Sequence, residues 1–234
     1  MKKLCLAAIL TLLFSQFLFS KEVKIKWFGH SMWSINTDTQ TIIIDPFTGT
    51  GLPEIDSLYA DIVITSHQHR DHNNFDLIAS DCKYLKVTES GYYYHKGVEI
   101  STQNSSHGVV NGVDRGNNLI SFIEIEDINI MHCGDLGVIP SEILIPTVVD
   151  ILMVPVGGHF TIDALEAKKL IDLVSPKVVL PMHYRLPASK NDMIADISPF
   201  QAIYPQIKKL ETDHLIFTKD TLPETQMFYI LDYE

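Results

Sequence analysis

Cysteine is scarce in this chain, with three in 234 residues: Cys5, Cys82 and Cys133. So few thiols exclude a disulfide-stapled scaffold and a four-cysteine structural zinc site. The two at 82 and 133 are expected to be free. Basic residues are also short, 18 Lys and Arg against 29 Asp and Glu, for a net charge of −11. Phosphate backbones are gripped by clustered lysine and arginine, so nucleic acid is excluded as the main partner and a small-molecule substrate is expected instead. There is no Pro-, Gly- or Ser-rich linker, no composition shift, no internal repeat and no low-complexity tract. With 46% apolar residues the chain can bury a substantial core as one domain, taken as residues 21–234.

A long apolar run occurs once, from Leu4 to Phe19, between the basic start Met1-Lys2-Lys3 and the charged pair Lys21-Glu22. This is the layout of a secretory signal, so residues 1–20 read as a signal peptide cleaved near Ser20. The body would then be exported, periplasmic or extracellular, with no stable membrane span. Leu18 suits the cleavage box poorly, which keeps an uncleaved membrane anchor as the rival. The run is nevertheless short against the ~20 residues of a spanning helix. Cleavage removes two lysines and no acids, moving the charge from −11 to −13.

Downstream, short β-rich runs alternate with turn signals. Residues 23–27 alternate apolar and polar, as a half-buried edge strand does, and 32–36 is the hairpin partner. Further strands are expected at 41–45, 61–65, 84–88, 98–102, 118–126, 128–132, 150–155, 177–180, 215–218 and 226–231. Helices are expected at 161–174, capped by Thr161 or Asp163 and stopped by Pro176, and at 199–210, with a short one beginning in 73–79. In the first of these, Ala164, Leu165, Ala167, Leu170, Ile171 and Val174 form the apolar stripe. Strand pairs, then strand–helix alternation, then strands again fit two packed sheets with helices outside.

The chemistry is concentrated in Ser66-His67-Gln68-His69-Arg70-Asp71-His72, directly after the apolar run 61–65. Side chains two apart in an extended or tightly turned segment share a face, so His67 and His69 can close on one ion. Asp71 and His72 can reach a second. Other ligand-type residues also follow apolar strands: His107, Asp135 and His183. His67, His69 and His107 make one three-histidine site; Asp71, His72 and His183 make another; Asp135 can bridge them. Imidazole and carboxylate without thiolate suit a reactive zinc, manganese or iron site better than a closed structural one.

These motifs together resemble the metallo-β-lactamase-fold superfamily, and in particular its branch with ascorbate-6-phosphate lactonase and related small hydrolases. The resembling segments are Trp27-Phe-Gly-His-Ser31, Ile44-Asp45-Pro46, His67-x-His69-x-Asp71-His72, Ser106-His107-Gly108, Arg115-Gly116-Asn117-Asn118, His132-Cys-Gly-Asp135-Leu136-Gly137, Pro155-Val-Gly-Gly158 and Pro181-Met-His183-Tyr184. They span residues 23 to 190. The resemblance implies an αββα sandwich of two mixed β-sheets with outer helices, a dinuclear site at one edge, and Asp45 as a brace behind the ligand loop. Aspartate at 135 is unlike the cysteine ligand of the B1 β-lactamases, and histidine at 69 is unlike the glutamate of the flavodiiron oxidases.

The function expected is a metal-dependent hydrolase. Its two divalent ions, zinc first and manganese or iron as alternatives, would hold a hydroxide that attacks a small ester, lactone or phosphoester. Asp71 would orient the nucleophile. His30, His159, Arg115 and Tyr184 are candidates to face substrate or support a ligand, each balanced by an ordinary turn, salt-bridge or packing role. Arg185 is a further anion-binding candidate, with a surface salt bridge as its default. His95, His132 and His214 read as structural, and Tyr92-Tyr93-Tyr94 as a pocket rim or core. Two other classes stay in view: a mononuclear-iron dioxygenase acting on a thiol or persulfide through His67, His69 and Asp135, and a non-catalytic envelope metal-binding protein.

Overall fold

A computed structural model describes residues 20–108, 115–143, 145 and 148–233. The signal-peptide reading falls on residues outside this set. In chain order the strands are β1 (Val23–Gly29), β2 (Met32–Asn36), β3 (Thr41–Ile44), β4 (Ile62–Ile64), β5 (Leu85–Val87), β6 (Gly91–His95), β7 (Val98–Ser106), β8 (Asn117–Ile125), β9 (Ile128–His132) and β10 (Ile151–Pro155). Helix α1 (Ala164–Val174) is followed by β11 (Val178–Met182), α2 (Ser198–Ile203), β12 (Lys208–Lys209), β13 (His214–Phe217) and β14 (Met227–Ile230). Two mixed sheets result, in the orders β13-β1-β2-β3-β4-β5 and β12-β14-β11-β10-β9-β8-β7-β6. Among the described residues no helix is long and apolar enough to cross a membrane.

One apolar core runs between the sheets, from Val23 to Leu231 in sequence. Strands in the middle of each sheet are covered on both faces. β4, β10 and β11 are therefore buried at every position, and each pairs in parallel with a neighbour. Strand β1 shows the strict alternation read from its sequence, but it is not an edge: β13 pairs on its outer side. Helix α1 starts at Ala164 under a reciprocal cap between Asp163 and Glu166, so Thr161 plays no capping part. Ala164, Ala167, Leu170 and Ile171 face inward, while Leu165 lies off that stripe and is exposed.

Four other boundaries differ from expectation. The 199–210 helix stops at Ile203, because Pro205 disfavours helical backbone at Tyr204. Lys208–Lys209 instead pairs with β14 as a short strand. The segment after Asn73 forms only a 3-10 turn, Phe75–Leu77. Strand β7 continues to Ser106 despite its polar end, since β8 pairs with it through Ser106 and Asn117. Strand β6 was missed altogether. Its turn, Lys96-Gly97, has both residues at positive φ, the hairpin geometry that a glycine in second place favours. Tyr92 and Tyr94 project to solvent from this edge strand, so neither is core.

Away from the site, one buried carboxylate joins three elements. Asp150, directly before β10, has a side chain only 2% exposed, 2.9 Å from both Lys177 and Lys219, and it accepts from the Asn129 N–H at 3.1 Å. Burial pushes its carboxyl up, yet the Lys177 and Lys219 ammonium groups bring it below its ordinary value. A depressed folded pKa contributes stability above the unfolded value, about 3.9, and the contribution is lost as pH falls through the folded value. Asp150→Asn is expected to cost about 2–3 kcal/mol at neutral pH. Urea titrations at pH 7 and pH 3 check this: the difference from wild type should be full at pH 7 and smaller at pH 3.

Candidate metal centre

The ligand-type residues collect where strands of both sheets end. The 66–72 loop follows β4 and is tied at both ends to Asp45, the fully buried residue after β3. Asp45 accepts from the Ser66 N–H at 2.6 Å and the Ser66 hydroxyl at 2.7 Å, and its Oδ2 lies 2.9 Å from His72 Nδ1. The His72 N–H closes the loop on the His69 carbonyl at 2.9 Å. With Nδ1 turned to Asp45, the His72 Nε2 is directed into the cluster, as a brace behind a ligand directs it.

Three groups of side chains bring one ligand atom each within 4.8 Å of one another: His67, His69 and His107; His67, His72 and Asp135; and His30, His72 and His183. Asp135 belongs to the middle group and lies close to at least one histidine of each of the other two. Its Oδ2 lies 3.1 Å from His183 Nε2, 3.3 Å from His72 Nε2, 3.7 Å from His107 Nε2 and 4.0 Å from His67 Nε2. The Asp135 N–H donates to Asn118 Oδ1 at 2.9 Å, and Asn118 also donates to the Cys133 carbonyl at 2.9 Å. Asn118 stands in the Arg115-Gly-Asn-Asn118 motif, but its role as clamp of the Asp135 loop was not read from sequence. His132, read as structural, accepts from the Gly134 N–H at 3.1 Å, and its other nitrogen lies 3.1 Å from the Ser31 carbonyl.

Burial keeps most of these imidazoles neutral. It lowers His67 to about 3, helped by His72, and lowers His30 and His107 to about 4. His69 is lowered too, by burial and by Arg115. His72 behaves differently: burial opposes its charge, but Asp135 and Asp45 on either side outweigh that and raise it. Burial pushes Asp135 up, yet His183 and His72 hold it well below the usual carboxylate range.

Such a set fits a cation. Neutral imidazoles offer lone pairs, and the buried His30 Nε2, His72 Nε2, His107 Nδ1 and His183 Nδ1 have no hydrogen-bond partner among the described residues. Leaving a buried polar atom unsatisfied costs about 1–3 kcal/mol, which ligation would recover at Nε2 of His72 and of His30. The thiol of Cys133 is buried and pushed up, and it belongs to none of the groups.

The remaining candidates divide. Asp71 is outside the three groups and points to His30, with Oδ2 3.4 Å from the His30 Nε2. Both line a cleft of about 400 Å³ with Thr48, Leu52, Arg70 and Lys190. Arg115 donates from Nε to His107 Nε2 at 3.1 Å and lies 4.3 Å from the Phe160 ring centre. Arg185 keeps its default, a long 3.8 Å ion pair to Asp196. His159 is exposed, edge-on to Phe160, and enters no metal group. Tyr184 is buried against Trp27, ring centres 5.4 Å apart, and burial pushes its phenol up. That is packing, not a proton donor. A larger groove of about 720 Å³ beside Tyr184 contains none of the clustered histidines.

Comparison with known proteins identifies the family. Residues 24–183 match the family model of the beta-lactamase superfamily domain. A UPF0173 metal-dependent hydrolase of Pyrococcus abyssi is 31% identical over 194 residues, 69% of this chain and 84% of that protein. One from Pyrococcus horikoshii is 30% identical over 192 residues, with the same two coverages. A crystal structure from Thermotoga maritima, described as a Zn-dependent hydrolase of the metallo-beta-lactamase superfamily, superposes with a TM-score of 0.70 at 29% identity. The alignment covers 89% of this chain and 98% of that one. The two sheets, the ligand-bearing strand ends and these relatives lead to one assignment: the chain belongs to the metallo-β-lactamase superfamily, within its UPF0173 family of metal-dependent hydrolases.

Proposed function

We propose that this protein hydrolyses a small ester, lactone or phosphoester at a pair of divalent cations, zinc first, with manganese or iron as alternatives. The observation that carries the reading is the Asp135 Oδ2, within 4.0 Å of imidazole nitrogens from both sides of the cluster. His67, His69 and His107 would hold one cation; Asp71, His72 and His183 would hold the other, with Asp135 shared. When bound, such ions would supply Lewis acidity, making a water a better nucleophile at neutral pH and polarising a substrate oxygen.

The protein's own groups do the rest. Asp45 fixes the His72 ring, and Asn118 fixes the backbone of Asp135. His30, with Nε2 3.4 Å from Asp71 Oδ2, keeps that carboxyl below its ordinary range against the opposing effect of burial. An ionised Asp71 at the cleft would accept a hydrogen bond from an attacking water and so orient it. Substrate would enter the cleft beside Arg70 and Lys190. The same reading includes export with cleavage near Ser20, which N-terminal sequencing of the protein recovered from cell fractions would check.

Elemental analysis of protein purified without added metal tests the reading. Near two equivalents of zinc or manganese per chain, with turnover on a lactone and phosphoester panel, is the expected result. One equivalent of iron with thiol-dependent oxygen uptake would overturn it in favour of the dioxygenase. Bound metal without turnover on any ester would favour a binding protein.

A further inference from the structure

We propose that His30 is a further ligand of the second cation position, acting with His72, His183 and Asp135. This rests on the two-cation reading above and adds to it a residue that lies outside the His67–His72 string.

The backbone argument comes first. His30 follows Gly29 at the end of β1 and adopts a left-handed conformation, φ 51, which is uncommon for a residue with a Cβ. Strain of this kind persists only where surrounding contacts over-determine it. Here the His30 carbonyl accepts two hydrogen bonds, from the His183 N–H at 3.1 Å and the Trp27 indole N–H at 3.2 Å. The first bond joins the turn after one sheet's β1 to the loop after the other sheet's β11. His183 itself is left-handed, φ 50. The two residues are therefore fixed relative to each other by main chain, and both side chains enter the same space.

The side chains meet there. The His30 ring centre lies 4.4 Å from that of His183 and 4.9 Å from that of His72. One nitrogen from each of the three lies within 4.8 Å of the others; His72 and His183 are buried and His30 closes the group toward the cleft. Buried rings packed this way for bulk alone could be apolar. Instead the His30 and His72 Nε2 atoms are buried donors or acceptors with no hydrogen-bond partner among the described residues. Asp71 Oδ2, 3.4 Å from His30 Nε2, and Asp135 Oδ2, 3.1–3.3 Å from His183 and His72, add oxygens on two sides. Three imidazoles around one point, with Asp71 beside His30 and Asp135 beside His72 and His183, make a donor set that the Asp71, His72 and His183 trio leaves incomplete. A set with more oxygen and nitrogen donors also suits manganese or iron alongside zinc at that position.

The rival is a positioning role, with His30 acting only through its contact to Asp71. Two variants separate these. His30→Asn keeps a residue that tolerates the left-handed backbone. His30→Gln keeps an amide N–H long enough to reach Asp71. Calorimetric titration of metal-free protein with Zn²⁺ reads stoichiometry and affinity directly, and Co²⁺ absorption reads coordination. Wild type should bind two equivalents. In both variants the second equivalent should weaken by more than about 100-fold, beyond the 10–100-fold typical of losing an outer partner, with the first little changed. The Co²⁺ bands of the second site should change. Two tight equivalents in both variants with unchanged Co²⁺ bands overturn the inference and leave the two-cation reading intact. Recovery of tight binding by Gln alone assigns His30 to positioning and also overturns it. A wild type that binds fewer than two equivalents overturns both.

Discussion

Asp135→Asn is expected to reduce bound metal from two equivalents to at most one and to lower turnover on any accepted ester by roughly 10³-fold. The amide keeps the volume of the carboxylate and leaves the backbone bond to Asn118 untouched, so the loop geometry survives. What disappears is the negative charge. Asp135 Oδ2 is the carboxylate oxygen within 4.0 Å of nitrogens from His67, His72, His107 and His183. An amide offers one oxygen donor and no charge to offset a divalent ion at a site whose other donors are imidazoles. Metal content by elemental analysis and initial rates on the same preparation provide the check, with near-ultraviolet circular dichroism to verify packing. Two retained equivalents at unchanged rate would remove Asp135 from the scheme.

The centre of this arrangement was readable because its information is local. His67, His69, Asp71 and His72 lie within one loop; the shared face of residues two apart pairs His67 with His69, and the turn after them carries His72 toward His183. His107, Asp135 and His183 carry a weaker signal, a ligand-type residue just past an apolar run, and the structure brings them together because parallel pairing gathers several strand ends at one edge. Residues whose meaning depends on tertiary contact were not readable. Asn118 reaches the Asp135 loop from β8 through a side-chain bond across the strand ends. His30 is pinned by the His183 N–H, a contact between residues 153 positions apart that no periodicity encodes. Tyr184 was misleading for the opposite reason. It adjoins His183, but consecutive side chains diverge, and its ring packs away on Trp27.

The fold divides along the same line. Strands with a strong apolar or alternating pattern, such as β1, β9 and β10, were placed almost to the residue. Strand β6 and the polar end of β7 were not, because what makes them strands is the partner they pair with rather than their own composition. The helix expected to run to Leu210 ends at Ile203, because Pro205 acts on the backbone of Tyr204 more strongly than the apolar pattern beyond it favours helix.

A second large effect is expected at Gly134, and a comparison with Gly97 shows where it comes from. Both glycines have positive φ, +56 at Gly134 and +92 at Gly97. Alanine at either position therefore incurs backbone strain, about 1–2 kcal/mol in the left-handed region, and no less at the wider φ of Gly97. A Cβ on Gly97 meets nothing within 4 Å. On Gly134 it would lie 2.3 Å from Asn118 Oδ1 and 2.5 Å from Ser66 Cβ, far inside contact distance. Those neighbours cannot withdraw cheaply, since Asn118 holds the Asp135 N–H and Ser66 holds Asp45. Overpacking of this kind adds about 1–3 kcal/mol. Gly134→Ala should thus destabilise the metal-free protein by about 2–5 kcal/mol, against about 1–2 kcal/mol for Gly97→Ala, as read from urea unfolding midpoints. It should also weaken metal binding, because relief of the clash requires moving Asp135 relative to the 66–72 loop. Gly97→Ala, on the Lys96-Gly97 turn, should leave metal binding unchanged. Equal stability losses for the two variants would show that conformational strain, and not the close packing of the Asp135 loop on Asn118 and Ser66, is what requires glycine at position 134.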